Sequence, residues 1–175
     1  MRWNETSYFP IDVQFEDIDG GGVVHHPNYL KYLERARCHA MREIGVPFDE
    51  CLKDGIAFVV AELNSKYLRP LTYGQRIYVH TRLVAMRKSS FKVFQKIMID
   101  DLTLPEIRNS DQFFIKESQA SFFAQLRLVA VDLKHGKPIP VPEKIRVNGG
   151  YPTPSELSMQ LSASDVRLLP FHEDR

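Results

Sequence analysis

One segment, Asn28 to Gly45, repeats apolar residues at helical spacing through Tyr29, Leu33, Ala36, Ala40 and Ile44, and from Ile56 onward the texture is that of strands. Gly45 is a natural helix stop, and Pro47 prevents simple continuation. "PFDECLKDG" then reads as a short second helix. Ahead of the long helix, "FPIDVQFE" (residues 9–16) alternates Ile11, Val13 and Phe15 against Asp12, Gln14 and Glu16, the period of a half-buried strand. "IAFVVAELNSKYLRP" and "QRIYVHTRLVAM" are expected strands joined by a turn through Pro70 and Gly74. "RKSS" reads as a turn into "FKVFQKIMI", and a final long strand is expected within Phe113 to Asp132, closed by "KHGKP". Hairpin-length links cannot make parallel crossovers, so the expected class is α+β with an antiparallel sheet of about five strands.

Two segments stand apart from this pattern. "DDLTLPEIRNSDQ", Asp100 to Gln112, is a long link for adjacent strands, of the kind that is often functional or disordered. From Asn148 the chain reads "NGGYPTPSE", where Thr153, Pro154 and Glu156 have the capping-box arrangement with proline at the first helical position. The expected division is a main domain over residues 1–147 and an extension with a short helix over 148–175. A chain of 175 residues suffices for one domain with a workable core but hardly for two.

Lys+Arg of 23 against Asp+Glu of 22 leaves a formal charge of +1, which gives no global basic field, so nucleic acid is not an expected partner. Cys38 and Cys51 are too few for a disulfide scaffold and form no CxxC, so they read as buried thiols rather than nucleophiles. No apolar run approaches the roughly 18 residues of a membrane span. "MRWNETSYFPID" lacks the apolar core of a signal peptide, and a reduced cytoplasm is the expected setting.

The chemistry concentrates in "FEDIDGGGVVHHPNYLKYLERAR", residues 15 to 37. Three consecutive glycines cost backbone entropy and need a local geometric reason. Around them stand Asp17, Asp19, His25 and His26. No HExxH or paired-ligand helix motif accompanies these residues, so no metal is expected. There is no G-x-S-x-G elbow and no phosphate-binding P-loop.

This stretch resembles the signature of the hotdog-fold thioesterases, specifically the 4-hydroxybenzoyl-CoA thioesterase family and its Tol–Pal-associated acyl-CoA relatives. The matching residues are Phe15, Asp17, Asp19, Gly21, Gly22, Val23, Val24, His26, Asn28 and Tyr29, continued by Glu34 and Arg37 in "YLERAR". With the later strand order and the "MRKSS" turn, the resemblance covers roughly Asp12 to Val147. It implies a sheet wrapped around one long central helix and an acyl-CoA or acyl-carrier-protein thioester as substrate, with a fatty or polyketide acyl group. It also implies no cofactor beyond the coenzyme A or phosphopantetheine of the substrate, and a homodimer or tetramer. By the same resemblance Asp19 is the catalytic carboxylate, and the His26 N–H faces the thioester carbonyl. The Tol–Pal-associated relatives carry tyrosine where this chain has Phe15, so a phenol at that position is not available here.

Thioester hydrolysis builds negative charge on the carbonyl oxygen, which a helix N-terminus can stabilise. A carboxylate beside it either attacks the carbonyl or serves as general base toward water. Gly22 and Val23 are expected to approach the thioester. Arg87 and Lys88, in a surface turn, are expected to reach coenzyme A phosphates or an acidic carrier protein, with Lys66 and Arg69 as weaker candidates. Asp17 reads as a turn residue, Glu34 as the ion partner of an arginine, and His25 as alternating away from His26. Phe58, Tyr67, Phe91 and Phe94 fit either the core or an acyl groove. Two other functions share the fold: enoyl-thioester hydration, whose Asp-x-Asn-Pro-x-His arrangement "DGGGVVHH" does not reproduce, and non-catalytic acyl-ligand sensing.

Overall fold

The computed structural model describes residues 6–100 and 120–149. Strand β1 (Ser7–Asp12) leads through a 3-10 turn (Phe15–Asp17) to helix α1 (His26–Glu43), then helix α2 (Phe48–Lys53). Strands β2 (Ile56–Tyr67), β3 (Arg76–Met86), β4 (Ser90–Ile99) and β5 (Ala120–Asp132) follow, then the short β6 (Lys137–Pro138) and helix α3 (Glu143–Asn148). The sheet order is β1-β3-β4-β5-β2, every pair is antiparallel, and β6 adds to the end of β5.

Alternation along β3 and β4 selects the face that meets α1. Ile77, Val79, Thr81 and Leu83 lie opposite Ile99, Ile97, Gln95 and Val93, and all but the half-buried Ile99 are buried. From the helix, Tyr29, Tyr32, Leu33, Ala36 and Ala40 fill the space between. Gly45, at φ 73°, ends the helix in the left-handed region that favours glycine.

Within this apolar layer sits one polar device. The Arg37 guanidinium donates to Gln95 Oε1 at 2.8 Å. The Gln95 amide donates to the Leu33 carbonyl at 3.0 Å and to Thr81 Oγ1 at 2.8 Å. Arg37 also pairs with Glu34 at the surface. Burial lowers the Arg37 pKa from its ordinary value, and Glu34 opposes that shift.

Three sequence expectations change. The strand over residues 9–16 starts earlier and stops at Asp12, because Gln14 and Asp17 close a turn. Phe15 therefore stands 78% exposed, edge-on to Tyr73, instead of facing the core. Strands β2 and β3 are joined in sequence but are not neighbours in the sheet. Their link (residues 68–75) crosses the end of the sheet, with the Leu71 N–H donating to Tyr29 Oη and its carbonyl accepting from Val24 N–H. Helix α3 was not expected; its Ile145 is buried and Asn148 Nδ2 donates to the Ile44 carbonyl at 2.9 Å. The expected helix at Thr153–Glu156 and the long link beyond Asp100 lie outside the described residues.

Replacing Gln95 by Leu leaves the Arg37 guanidinium buried with one partner fewer and strips the Leu33 carbonyl of its donor. The expected loss is about 3 kcal/mol, read as a lower urea midpoint at unchanged slope.

Candidate active site

After Asp12 the chain turns rather than extends. The Asp17 carboxylate accepts the Gln14 N–H at 3.0 Å, and the Asp17 N–H returns to the Gln14 carbonyl at 3.1 Å. The Asp17 carbonyl accepts the His25 N–H at 2.8 Å and the Asn28 side-chain amide at 3.0 Å. One buried residue thereby closes the 3-10 turn and fixes the start of α1. Burial, then the neighbouring Asp17 carboxylate, push the Tyr32 phenol up, so it stays protonated.

Ile18 bridges Val24, which makes residues 19–23 the loop of a short hairpin. Across it the Asp19 N–H donates to the Val23 carbonyl at 2.8 Å, and the Gly22 N–H donates to the Asp19 carbonyl at 3.0 Å. Gly22 sits at φ 79°, which a side chain would strain. A Cβ on Gly21 would come within 3.2 Å of Asp19 Oδ1, whereas one on Gly20 would meet nothing within 4 Å. Asp19 itself is half-buried. Its Oδ1 accepts the Gly21 N–H at 2.8 Å, and its Oδ2 has no hydrogen-bond partner among the described residues.

His25 caps α1 in an extended conformation and His26 is its first residue. Pro27 has no N–H, and the Asn28 N–H is taken by the His25 carbonyl at 2.9 Å. The His26 N–H therefore stands at the positive end of the helix without an acceptor among the described residues. Its carbonyl accepts the Tyr67 hydroxyl at 3.1 Å. Both imidazoles are exposed and meet edge-on at 4.7 Å. His25 does not point away from His26, because the backbone changes from extended to helical between them.

The hairpin thus collects Asp19, Gly22 and Val23 on the loop side of the Ile18–Val24 bridge and His26 on the helix side. Arg87 and Lys88 are not part of it. They form the β3–β4 turn, and β3 carries them roughly 30 Å from its Arg76 end, where Asp12 pairs. Lys66 lies with its ammonium over the Phe123 ring, and the Arg69 N–H donates to the Ser121 carbonyl. Glu34 pairs with Arg37, while Phe58 and Phe91 are in the core and Phe94 stacks on Phe123. Burial raises the pKa of both Cys38 and Cys51, and Glu34 and Asp54 add to it, so neither thiol is primed as a nucleophile. Among the described residues no group of three or more His, Cys, Asp or Glu converges, and no helix is long and apolar enough to cross a membrane.

The family model of the thioesterase-like superfamily matches residues 13–148. The chain belongs to that superfamily. Acyl-CoA thioester hydrolase YbgC of Escherichia coli is 28% identical over 145 residues, covering 83% of this chain and 92% of the relative. Acyl-CoA thioesterase YbgC of Helicobacter pylori is 37% identical over 86 residues, covering 49% and 62%. Among solved structures, a hypothetical protein of Aquifex aeolicus superposes with a TM-score of 0.66 at 25% identity, covering 81% of this chain and 97% of that one. A 1,4-dihydroxy-2-naphthoyl-CoA thioesterase from Synechocystis gives 0.68 at 18% identity, covering 84% and 99%. As a member of the thioesterase-like superfamily the protein is a hydrolase, and its sheet wrapped around α1 is the hotdog fold.

In the sequence Asn28 has no role beyond its motif match, and Tyr67 fits either the core or a groove. Both brace the helix start. Asn28→Ala removes a buried bond to the Asp17 carbonyl and should cost about 1–2 kcal/mol. Tyr67→Phe, at a half-exposed hydroxyl, should cost about 0.5 kcal/mol. Urea unfolding of the two variants side by side checks the order.

Proposed function

We propose that the protein hydrolyses acyl thioesters of coenzyme A or of a phosphopantetheine-bearing acyl carrier protein, with a fatty or polyketide acyl group. Asp19 is the working carboxylate and the His26 N–H is the oxyanion donor. The observation that carries this reading is the Asp19 carboxylate: one oxygen is anchored by Gly21 and the other is open, in a hairpin that leads to an unpaired helix-start N–H. The relatives named acyl-CoA thioesterases support the coenzyme A thioester as substrate. Free thiols fit a cytoplasmic setting.

Two routes use the same atoms. In one, Asp19 Oδ2 adds to the carbonyl carbon, the oxyanion rests on the His26 N–H, and the C–S bond breaks to give an anhydride and a thiolate that takes a proton from water. Water then opens the anhydride. In the other, Asp19 takes a proton from water as that water adds, and passes it to the departing sulfur. Open space beside Gly20 lets the thioester approach either way. Asp19→Asn should lower single-turnover hydrolysis at least about a hundredfold in a folded protein. His26→Ala should cost less, because the backbone N–H survives. Near-normal rates in folded Asp19→Asn would sink the mechanism and turn attention to Glu34.

The substrate's carrier end calls for a second chain. β2 is a 12-residue edge strand with Val59, Val60, Leu63 and Tyr67 exposed, an edge that proteins pair or cover. A two-fold pairing of β2 with its copy runs antiparallel, so the Ile56 end of the partner lies beside the Tyr67 end of this chain. The Arg87–Lys88 turn sits at the Ile56 end, where the Ala130 N–H donates to the Ser89 carbonyl and Ala130 lies opposite Phe58. In the dimer, the partner's cations thus approach the thioester hairpin and suit the carrier's phosphates, and two dimers pair into a tetramer where a second face is covered. Light scattering should give at least twice 20.2 kDa. Neutralising both Arg87 and Lys88 should raise KM with little change in kcat. Mixing that variant with Asp19→Asn chains should rebuild one low-KM site per mixed dimer; without such recovery the shared site is wrong.

A further inference from the structure

The peptide unit that carries the His26 N–H is held between two others. The unit before it is tied down by the His25 N–H, which donates to the Asp17 carbonyl at 2.8 Å. Its own carbonyl, that of His25, accepts the Asn28 N–H at 2.9 Å. The unit after it ends in the nitrogen of Pro27, which has no hydrogen, so the His26 carbonyl is its one hydrogen-bonding group. That carbonyl accepts the Tyr67 hydroxyl at 3.1 Å.

Pro27 gives this last bond its importance. A residue before proline favours extended backbone over helical, and a helix takes proline most readily at its first position. By those preferences α1 would begin at Pro27, with His26 as an extended cap. Instead His25 is the cap, His26 is the first helical residue and Pro27 is the second. The difference decides where the His26 N–H points. In the first turn it lies along the helix axis with the other unpaired donors, and in an extended cap it leaves that axis.

Tyr67 is well placed to hold a carbonyl still. It ends β2 opposite Phe122, and its ring meets Phe122 at 4.7 Å and Tyr29 at 5.1 Å. Those two rings, both buried, meet each other at 5.2 Å. Four residues on, the Leu71 carbonyl accepts the Val24 N–H and the Leu71 N–H donates to Tyr29 Oη. The segment leaving β2 thus grips the chain on both sides of His26. Burial pushes the Tyr67 phenol up, so at neutral pH it keeps the proton it donates. We infer that Tyr67 is a positioning residue for the reaction: its hydroxyl holds His26 in the helical turn against the preference set by Pro27, and so keeps the His26 N–H aimed as oxyanion donor. The inference rests on the thioesterase reading of the Asp19 hairpin. Tyr67 acts on the direction of the N–H and not on its acidity, because the hydroxyl bonds a different peptide unit.

The test is a double-mutant cycle of Tyr67→Phe and Pro27→Ala. It is read by KM and by single-turnover hydrolysis of whichever of butyryl-, octanoyl- and palmitoyl-CoA the wild type cleaves fastest. Tyr67→Phe keeps the ring contacts and removes only the hydroxyl. It should slow the chemical step about tenfold, with KM and the urea midpoint little changed. In the Pro27→Ala background, where His26 no longer precedes a proline, the same substitution should cost at most about twofold. A hydroxyl that serves stability alone does not make its effect on the rate depend on residue 27. Equal losses in the two backgrounds overturn the inference. So does a Tyr67→Phe rate within about twofold of wild type, which decides the matter if Pro27→Ala does not fold. A wild type that cleaves none of the three thioesters overturns the underlying reading, and this inference with it, before any variant is compared.

Discussion

The bond between Arg37 and Gln95 is the contact on which the placement of the hairpin depends. Apolar packing between α1 and the sheet is non-directional and tolerates a slide or a roll of the helix. A guanidinium aimed at a carboxamide does not. Gln95 is wholly buried and is itself held by Thr81 and the Leu33 carbonyl, so its position is set by β3, β4 and the helix together. Arg37 is three turns from His26 on one rigid element, so fixing the helix rotation at Arg37 fixes where the His26 N–H points. The cost is a desolvated cation, and Glu34 at the surface end offsets part of it.

A second constraint divides two acids that differ by two positions. Asp17 is drawn inside: its carboxylate closes the 3-10 turn and its carbonyl carries two donors from the next helix. Asp19 falls past the Ile18–Val24 bridge, on the loop, where its carboxylate meets one backbone N–H and otherwise faces out. The same residue type therefore closes a buried turn at one position and, at the other, keeps a carboxylate oxygen that no described residue hydrogen-bonds. The glycines make the division possible. Gly22 supplies the left-handed turn and Gly21 leaves room for Asp19 Oδ1, so the carboxylate is positioned without being covered.

Much of this was legible in the sequence because it was carried by period and punctuation. The helical spacing from Tyr29 to Ile44 and the Gly45 stop located α1 to within two residues, and the β-branched runs located β2, β3 and β4. The motif from Phe15 to Arg37 located the hairpin. What escaped was set by tertiary partners. The alternation Ile11–Val13–Phe15 continues past the point where the Gln14–Asp17 bond ends the strand, so Phe15 looked inward when it is outside. The link at residues 68–75 has turn residues, but Leu71 anchors to Tyr29 and Val24 and carries the chain past the sheet end instead of back along β2. Helix α3 is too short for periodicity to reveal, although Pro142 followed by Glu143 is a fair helix start.

Strand β2 shows how one irregularity answers two demands. As the edge of the sheet among the described residues it has one row of backbone groups that no described strand pairs, and its outward side chains include Glu62, which is committed to Arg127. On the face turned to the helix it presents Phe58, Val60, Leu63 and Tyr67, which lie opposite the core residues Ala130, Leu128, Leu126 and Phe122. A regular twelve-residue strand that aims Phe58 and Val60 at the helix would also aim Glu62 there, setting a carboxylate on the apolar face and turning Leu63 to the outer one. The bulge between Val60 and Glu62 exchanges these two fates. It leaves a charge on the outer face, where water reaches it, and an unbroken apolar line on the inner one. Bulges also increase local twist, which helps the strand follow the curve of the sheet around α1. The same backbone irregularity thus keeps the helix side of β2 apolar and helps the sheet wrap α1.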